Sequence, residues 1–341
     1  MKVFVTGVDG YIGVMLVPLL MKHRHEVVAL DTGYYRDGCL YDGIDDFPTV
    51  HRRDLRHLKD SDLDGFDAVI HLAELSNDPL GQHNPEITRG INHAASVKLA
   101  RMAKEGGATR FIYASSCSVY GAGNDAIKTE ESPTNPQTTY AECKVMVERD
   151  VSAMADDDFS PTFLRNATAF GPSPRMRFDI VLNNLAGLAW TEKAIRMNGD
   201  GSAYRPLVHI LDICDAIVAT LDSPRQKVHN QIFNVGQDSD NYRVKEIAQL
   251  VADVFPGCAV EFGPNGADSR SYRVSFDKIR NVLGFSCKRN AAIGAAQLCA
   301  IFKKIDMSKD VFNFRAFTRL KQLEHLLKLG ELDSQLFWRA Q

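Results

Sequence analysis

Nothing in this sequence is long and apolar enough to cross a bilayer, which takes about 20 consecutive apolar residues. The first residues, Met1-Lys2-Val3-Phe4-Val5, run straight into a strand pattern and lack the long apolar stretch and small-residue cleavage site of a secretory signal. Those absences argue against a membrane partner and make the cytoplasm the expected location. Basic residues are not in excess either. Lys and Arg number 40 against 43 Asp and Glu, a formal net charge of −3, which excludes a chain-wide attraction to nucleic acid but leaves room for a local phosphate pocket. The seven cysteines (Cys39, Cys117, Cys143, Cys214, Cys258, Cys287 and Cys299) form no C-x-x-C pair and no set at zinc-finger spacing with histidine, so no metal is expected. An odd, scattered set suits reduced thiols. Internal repeats and low-complexity tracts are absent as well.

What is present is 341 residues of ordinary globular composition, enough for one large domain or two of ordinary size. The first half alternates short apolar runs with longer amphipathic ones. Lys2–Thr6, Glu26–Asp31, a weak Thr49–His51, Ala68–Leu72, Arg110–Ala114 and Thr162–Leu164 read as strands. Helices are expected at Tyr11–His23, near Asn92–Lys104 and at Thr139–Ala155. That alternation predicts an α/β fold, a doubly wound parallel sheet with helices on both faces. After Gly171 the pattern loosens, with prolines and glycines at 171–174, 199–206 and 262–266. The expected division is residues 1–171 as the nucleotide-binding domain and 172–341 mainly as a smaller mixed α/β substrate domain with a C-terminal helical tail. Segments near 207–220 and 231–236 are expected to return to the main sheet. In the tail, Phe317, Leu320, Leu323 and Leu327 recur at helical spacing up to Gly330, a suitable C-cap.

The strongest N-terminal signal is Thr6-Gly7-Val8-Asp9-Gly10-Tyr11-Ile12-Gly13 between the first strand and first helix. Its G-x-x-G-x-x-G spacing is one residue wider than the usual dinucleotide fingerprint. Glycines there permit the tight turn and the approach of a pyrophosphate, and the helix N-terminus supplies N–H groups and partial positive charge. Asp31 ends the second strand, 18 residues after Gly13, where a carboxylate accepts hydrogen bonds from the adenosine ribose hydroxyls. It would also repel a 2′-phosphate, so NAD is favoured over NADP; Arg36, close by, works against that preference. Asp54, after the third strand, reads either as an adenine contact or as a surface charge. Gly7, Gly10, Tyr11, Ile12, Asp31, Asp54, Leu72 and Ala73, with Tyr140 and Lys144 further along the chain, are the expected cofactor contacts of this Rossmann arrangement.

Tyr140-Ala141-Glu142-Cys143-Lys144 puts a tyrosine and a lysine at i and i+4, on one face of a helix. An ammonium beside a phenol favours phenolate, so the tyrosine is tuned to accept a hydroxyl proton while hydride leaves the same carbon. Ser115-Ser116-Cys117-Ser118 follows the strand Arg110–Ala114, at the rim where doubly wound sheets bind ligands. Ser116 is placed to donate a hydrogen bond to the oxygen being oxidised.

Together these motifs resemble the extended short-chain dehydrogenase/reductase family, in particular its NAD-dependent nucleotide-sugar epimerases and dehydratases. The resemblance covers about residues 1–285 and runs through TGVDGYIG, HLAE at 71–74, SSCSVYG at 115–121, YAECK at 140–144, RNATAFGP at 165–172, RPLVHILD at 205–212 and FNVG at 233–236. It implies Ser116, Tyr140 and Lys144 as the catalytic triad with Tyr140 as base, a bound NAD that is recycled, and a homodimer through a contact that includes the Tyr140 helix with Val145, Met146 and Val151. Two departures matter. The family's 4,6-dehydratases carry Asp-Glu directly after the catalytic Ser/Thr, whereas Cys117 and Ser118 stand here. A thiol titrating near about 8.5 and a serine hydroxyl replace that pair poorly, which disfavours a 4,6-dehydratase unless Glu74, Asp78 or Glu142 reaches the site. Thr168 stands where the family usually has asparagine.

For the substrate, a nucleotide-diphosphate sugar, the resemblance points to Arg205 and Arg270 as phosphate-gripping guanidiniums, with Asn183 or Asn184 also within reach and Arg175 and Arg177 as looser candidates. Ser76, in the loop 75–79, and Ser118 and Thr168 are the expected contacts to the sugar, although that loop also fits a plain surface turn. His71 and His209 sit in apolar runs and read as structural. Tyr34 and Tyr35, just past Asp31, are placed to pack near the adenosine. The leading expectation is an NAD-dependent nucleotide-sugar 4-epimerase. The alternatives are a 4-ketoreductase that releases its cofactor and, from another class, a non-catalytic NAD-sensing regulator, against which the intact Tyr140-Lys144 pair argues.

Overall fold

A computed structural model of the chain describes residues 1–43, 47–76, 84–122, 126–197, 199–264 and 271–339. Seven strands form the central sheet in the order Gln231–Val235, Ser160–Asn166, Arg110–Ser116, Ala68–His71, Lys2–Thr6, Glu26–Asp31 and Val50–Arg52. Every neighbouring pair is parallel. Such strands are covered on both faces and so read as continuous apolar runs. Alternate side chains of Lys2–Thr6 serve opposite layers. Val3 and Val5 pack with Leu16 and Val17 of the helix Gly13–Lys22 and with Ile213 and Ile217 of Ile210–Asp222. Phe4 packs on the other face with Leu99 of Ala95–Glu105 and Val147 of Thr139–Ser152. Helices on both faces of a parallel sheet define a Rossmann-like doubly wound α/β fold, as the alternating pattern predicts.

The strand order reverses between Lys2–Thr6 and Ala68–His71, so their C-terminal ends open a crevice, the place where such folds bind ligands. Gln231–Val235 joins the main sheet as expected. The segment at 207–210 does not. Tyr204–His209 instead lies between Thr168–Phe170 and Asn241–Arg243 in a separate three-stranded sheet. Only the helix after it, Ile210–Asp222, packs on the main sheet. The apolar run alone carried no information about which sheet it would enter.

The tail helix begins later than its leucine spacing suggests. Arg315–Phe317 is a single 3₁₀ turn, and the α-helix is Arg319–Leu329, closed by Gly330 at φ +72°. Beyond it the chain folds back on the main domain. Leu323, Leu326, Leu332 and Leu336 share a cluster with Tyr34, Leu75, Ile87 and Ile91. On the Tyr140 helix, Val151 is wholly buried in the chain's own core, so of the three apolar positions noted for a dimer contact only Val145 and Met146 are partly exposed. Among the described residues no helix is long and apolar enough to cross a membrane.

Candidate active site

The turn after the first strand is shaped by what its glycines leave out. Gly7 has φ +78°, and a Cβ there would lie 2.7 Å from the Ala73 nitrogen and 2.9 Å from the Leu72 carbonyl carbon. A Cβ on Gly13 would lie 2.2 Å from the Gly7 oxygen. The bare backbone brings Leu72 and Ala73 against the loop, and Gly7, Gly10, Tyr11, Ile12, Leu72 and Ala73 all line one cavity of about 1200 Å³. The helix N-terminus at Ile12 has no side-chain cap.

Asp31 lines the same cavity and is 9 % exposed. Its Oδ1 accepts the Gly33 N–H (2.7 Å) and its Oδ2 the Asp9 N–H (3.0 Å). Burial pushes its carboxyl up to about 6, against those bonds and the nearby Arg319 and Arg175. Asp54 also lines the cavity, but Arg56 occupies its carboxylate through Nε (2.9 Å) and Nη2 (2.7 Å).

The helix Thr139–Ser152 starts at Thr138, whose hydroxyl accepts the Ala141 N–H (3.2 Å). That cap sets Tyr140 in the first turn, facing the cavity, with the Lys144 ammonium 5.4 Å from the Tyr140 ring centre. Lys144 is held from three sides. Its Nζ donates to the Ala114 carbonyl, lies 2.7 Å from Glu74 Oε2 and sits 4.5 Å over the Tyr113 ring. Glu74 Oε1 in turn accepts the Tyr113 hydroxyl (2.5 Å). The Lys144 and Glu74 side chains are 5 % and 3 % exposed. Burial works against the ammonium, but Glu74 and Tyr140 outweigh it and Lys144 is held above its ordinary range. Burial raises Glu74, opposed by Lys144.

Ser116 lines the cavity at the end of its strand, and its Oγ accepts the Ser118 N–H (3.1 Å), which leaves its own proton to donate. Cys117 turns the other way. Its buried Sγ donates to the Arg165 carbonyl (3.1 Å), and burial drives the thiol far above its ordinary range. Ser118 lines the cavity, and its hydroxyl has no partner among the described residues.

The expected substrate residues separate. Ser76, Thr168 and Arg205 line the cavity. Asn183 does not. It is buried, its Oδ1 takes the Gly171 N–H (3.0 Å), and its Nδ2 donates to the Tyr11 hydroxyl and the Arg177 carbonyl (3.1 Å each), so the amide is spent on the fold. Its neighbour Asn184 faces the cavity. Arg270 and Asp78 lie outside the described residues. Arg177, a looser candidate, lines the cavity, bonds Ser76 Oγ (3.2 Å) and pairs with Asp179 (2.8 Å). Arg175 instead holds the Arg36 and Gly38 carbonyls. Of the candidate carboxylates, Glu74 reaches the centre, while Glu142 is at the surface with Arg89. His71 is buried between Thr6 and Ser96 (2.7 Å to each hydroxyl), and burial lowers it to about 3; His209 bonds Gln297 (2.8 Å). Both are structural. Arg319, from the tail helix, lines the cavity too. No motif marks it, and in the sequence it is only the residue before Leu320.

A glycine cradle, a buried carboxylate at the end of the second strand and a Tyr-Lys-Ser set thus line one crevice. The chain belongs to the NAD dependent epimerase/dehydratase family, whose model matches residues 3–236. It is 27 % identical over 312 residues to the UDP-glucose 4-epimerase of Corynebacterium glutamicum, covering 84 % of this chain and 91 % of that protein. It is 25 % identical to UDP-glucuronic acid decarboxylase 1 of Danio rerio, over 83 % of this chain and 68 % of that one. Among solved structures, MoeE5 in complex with UDP-glucuronic acid and NAD superposes with a TM-score of 0.76 at 26 % identity, covering 89 % of this chain and 99 % of the other. The NDP-hexosamine 5,6-dehydratase TunA shares the fold with a TM-score of 0.78 at 21 % identity. The cofactor of the family is NAD, and the cradle around Gly7 and Gly13, which a single Cβ would fill, fits it.

Proposed function

We propose that this protein is a nucleotide-sugar 4-epimerase that works by transient oxidation at C4 of the sugar. The observation that carries the reading is that Tyr140, Lys144 and Ser116 face the same cavity as the glycine cradle and Asp31, while Cys117 faces away from it. The cavity, about 1200 Å³, exceeds the roughly 300–1,000 Å³ of a site for one small ligand, which suits a dinucleotide and a nucleotide sugar together.

Tyr140 accepts the proton of the sugar 4-hydroxyl, and the Lys144 ammonium one turn away favours the phenolate that does so. Glu74 and the Ala114 carbonyl fix the ammonium in place. Ser116 keeps its proton and donates a hydrogen bond to the sugar oxygen as that oxygen becomes a ketone. Bound NAD supplies the hydride acceptor and, for the return step, the hydride donor. Tyr140 then gives the proton back, and inversion requires the keto sugar to present its other face in between. We assign Arg205, Arg177 and Asn184 to the nucleotide and Ser76, Ser118 and Thr168 to the sugar; all six line the cavity.

Elimination of water across C5 and C6 would need an acid and a base beside Ser116. The Cys117 thiol is buried on the Arg165 carbonyl, and Glu74 is engaged by Lys144 and the Tyr113 hydroxyl. That weighs against a 4,6-dehydratase. UDP-hexoses are the first substrates to try, given the epimerase relatives. The test is mass spectrometry of nucleotides carried through purification, followed by a screen of nucleotide sugars. Bound NAD and interconversion of C4 epimers without added cofactor support the reading. Protein that purifies empty and needs NADH or NADPH for turnover is instead a ketoreductase.

A further inference from the structure

The tail helix brings a cation into the cleft that the mechanism above does not use. Arg319 is 2 % exposed and lines the cavity. Its guanidinium stacks over the Tyr35 ring (4.0 Å) and makes one long bond to the Ala316 carbonyl (3.4 Å); among the described residues no carboxylate forms an ion pair with it. Asp179, the nearby acid, accepts the Arg319 backbone N–H (3.3 Å) but gives its carboxylate to Arg177 through Nε (2.8 Å) and Nη2 (3.1 Å). Burial and the like charge of Arg177 lower Arg319 to about 10, against Tyr35, Asp179 and Asp31. The Asp179 carboxylate beside the two guanidiniums is thus taken by Arg177, and the buried guanidinium of Arg319 is left without it. A buried charge without its counterion is costly, and a chain keeps one where a ligand supplies the counterion.

We propose that Arg319, together with Arg177, forms a diphosphate-binding subsite that the C-terminal helix contributes to the cleft. The planar fork of arginine matches phosphate oxygens in pairs, and the Tyr35 ring centre lies 4.0 Å from the guanidinium carbon. Asp31, Tyr140, Arg177 and Arg319 line the same cavity, and Asp31 bears electrostatically on Arg319 and Tyr140 on Arg177. The residues after the helix anchor it there. The Tyr34 hydroxyl donates to the Leu336 carbonyl (2.5 Å), and the Trp338 indole N–H donates to the Thr32 carbonyl (2.7 Å). One member of each bond, Tyr34 or Thr32, belongs to the segment directly after Asp31, so the tail packs against the Asp31 end of the cleft. The diphosphate is that of the dinucleotide or that of the nucleotide sugar, and the inference rests on the cleft holding such nucleotides.

The experiment is calorimetric titration of the full-length protein, freed of nucleotide, and of Arg319→Gln, with NAD, adenosine, UDP and uridine. The expected result is at least a tenfold loss of affinity confined to a diphosphate ligand. A loss for NAD but not adenosine assigns the cofactor's diphosphate; a loss for UDP but not uridine assigns the substrate's. Unchanged affinity for both NAD and UDP overturns the proposal, as does an equal loss for the nucleosides, which marks a structural role. If Arg319→Gln does not fold, Arg319→Lys, which keeps the buried charge but not the fork, is read by the same criteria. Wild-type protein that binds neither NAD nor UDP overturns the reading of the cleft itself, a result distinct from equal binding by wild type and variant.

Discussion

Replacing Glu74 by glutamine removes the carboxylate paired with the Lys144 ammonium. The two charges are 2.7 Å apart and nearly excluded from water. At an effective dielectric of about 20 their attraction is about 6 kcal/mol, from which the desolvation of each ion takes back several. Glutamine keeps a carbonyl that can accept from Lys144, so the expected loss of stability is about 2–3 kcal/mol, below the roughly 3–5 kcal/mol of a pair broken outright. The functional effect has a definite sign. The groups facing Lys144 are Glu74, Tyr113, Tyr140, Glu148 and His71, and Arg177 also bears on Tyr140. With the carboxylate gone, the ammonium's field on Tyr140 is no longer offset, so the phenol ionises at lower pH. The rising limb of the pH–rate profile should move down by about one pH unit. Urea denaturation at pH 7 and a kcat/KM profile from pH 5 to 10 measure the two effects. A variant whose stability and profile both match wild type would refute the argument that Glu74 governs the Lys144 charge.

Tyr140→Phe should lower turnover by about 10²–10⁴-fold while leaving NAD bound, since the hydroxyl serves proton transfer; a variant within a factor of five of wild type excludes Tyr140 as the base. NAD should bind at least tenfold more tightly than NADP because of Asp31. With the Asp31 carboxyl raised to about 6, its ionised form, the stronger acceptor for a ribose hydroxyl, gives way to the acid below that pH. Affinity for NAD should therefore be full at pH 7.5 and fall as pH drops through about 6; a flat profile, or equal affinity for both cofactors, removes Asp31 from the site. We expect a homodimer through the Tyr140 helix with Val145 and Met146 at the contact, and light scattering that finds a monomer at micromolar concentration rejects it.

Much of the fold was legible because a parallel sheet buried on both faces writes each strand as an apolar run, and because Gly7 marks a turn whose positive φ and close approach few other residues permit. The segment at 207–210 was misassigned since an apolar run records burial and not the sheet it enters. Asn183 was indistinguishable from Asn184 in sequence; the helical turn settles which of the two faces the cavity and which is spent on Tyr11 and Gly171. Glu74 was visible only as a carboxylate within reach, because its pairing with Lys144 joins positions 70 residues apart. Arg319 carried no local signal, because its meaning arises only once the tail folds back onto Tyr34 and Tyr35.

The most direct test of the central claim is proton NMR of the purified enzyme with UDP-glucose in deuterated water and no added cofactor. The account predicts UDP-galactose with the C4 hydrogen retained, since hydride leaves and returns without exchanging with solvent. Deuterium at C4, loss of water from the sugar, or no change until NADH or NADPH is added would contradict it.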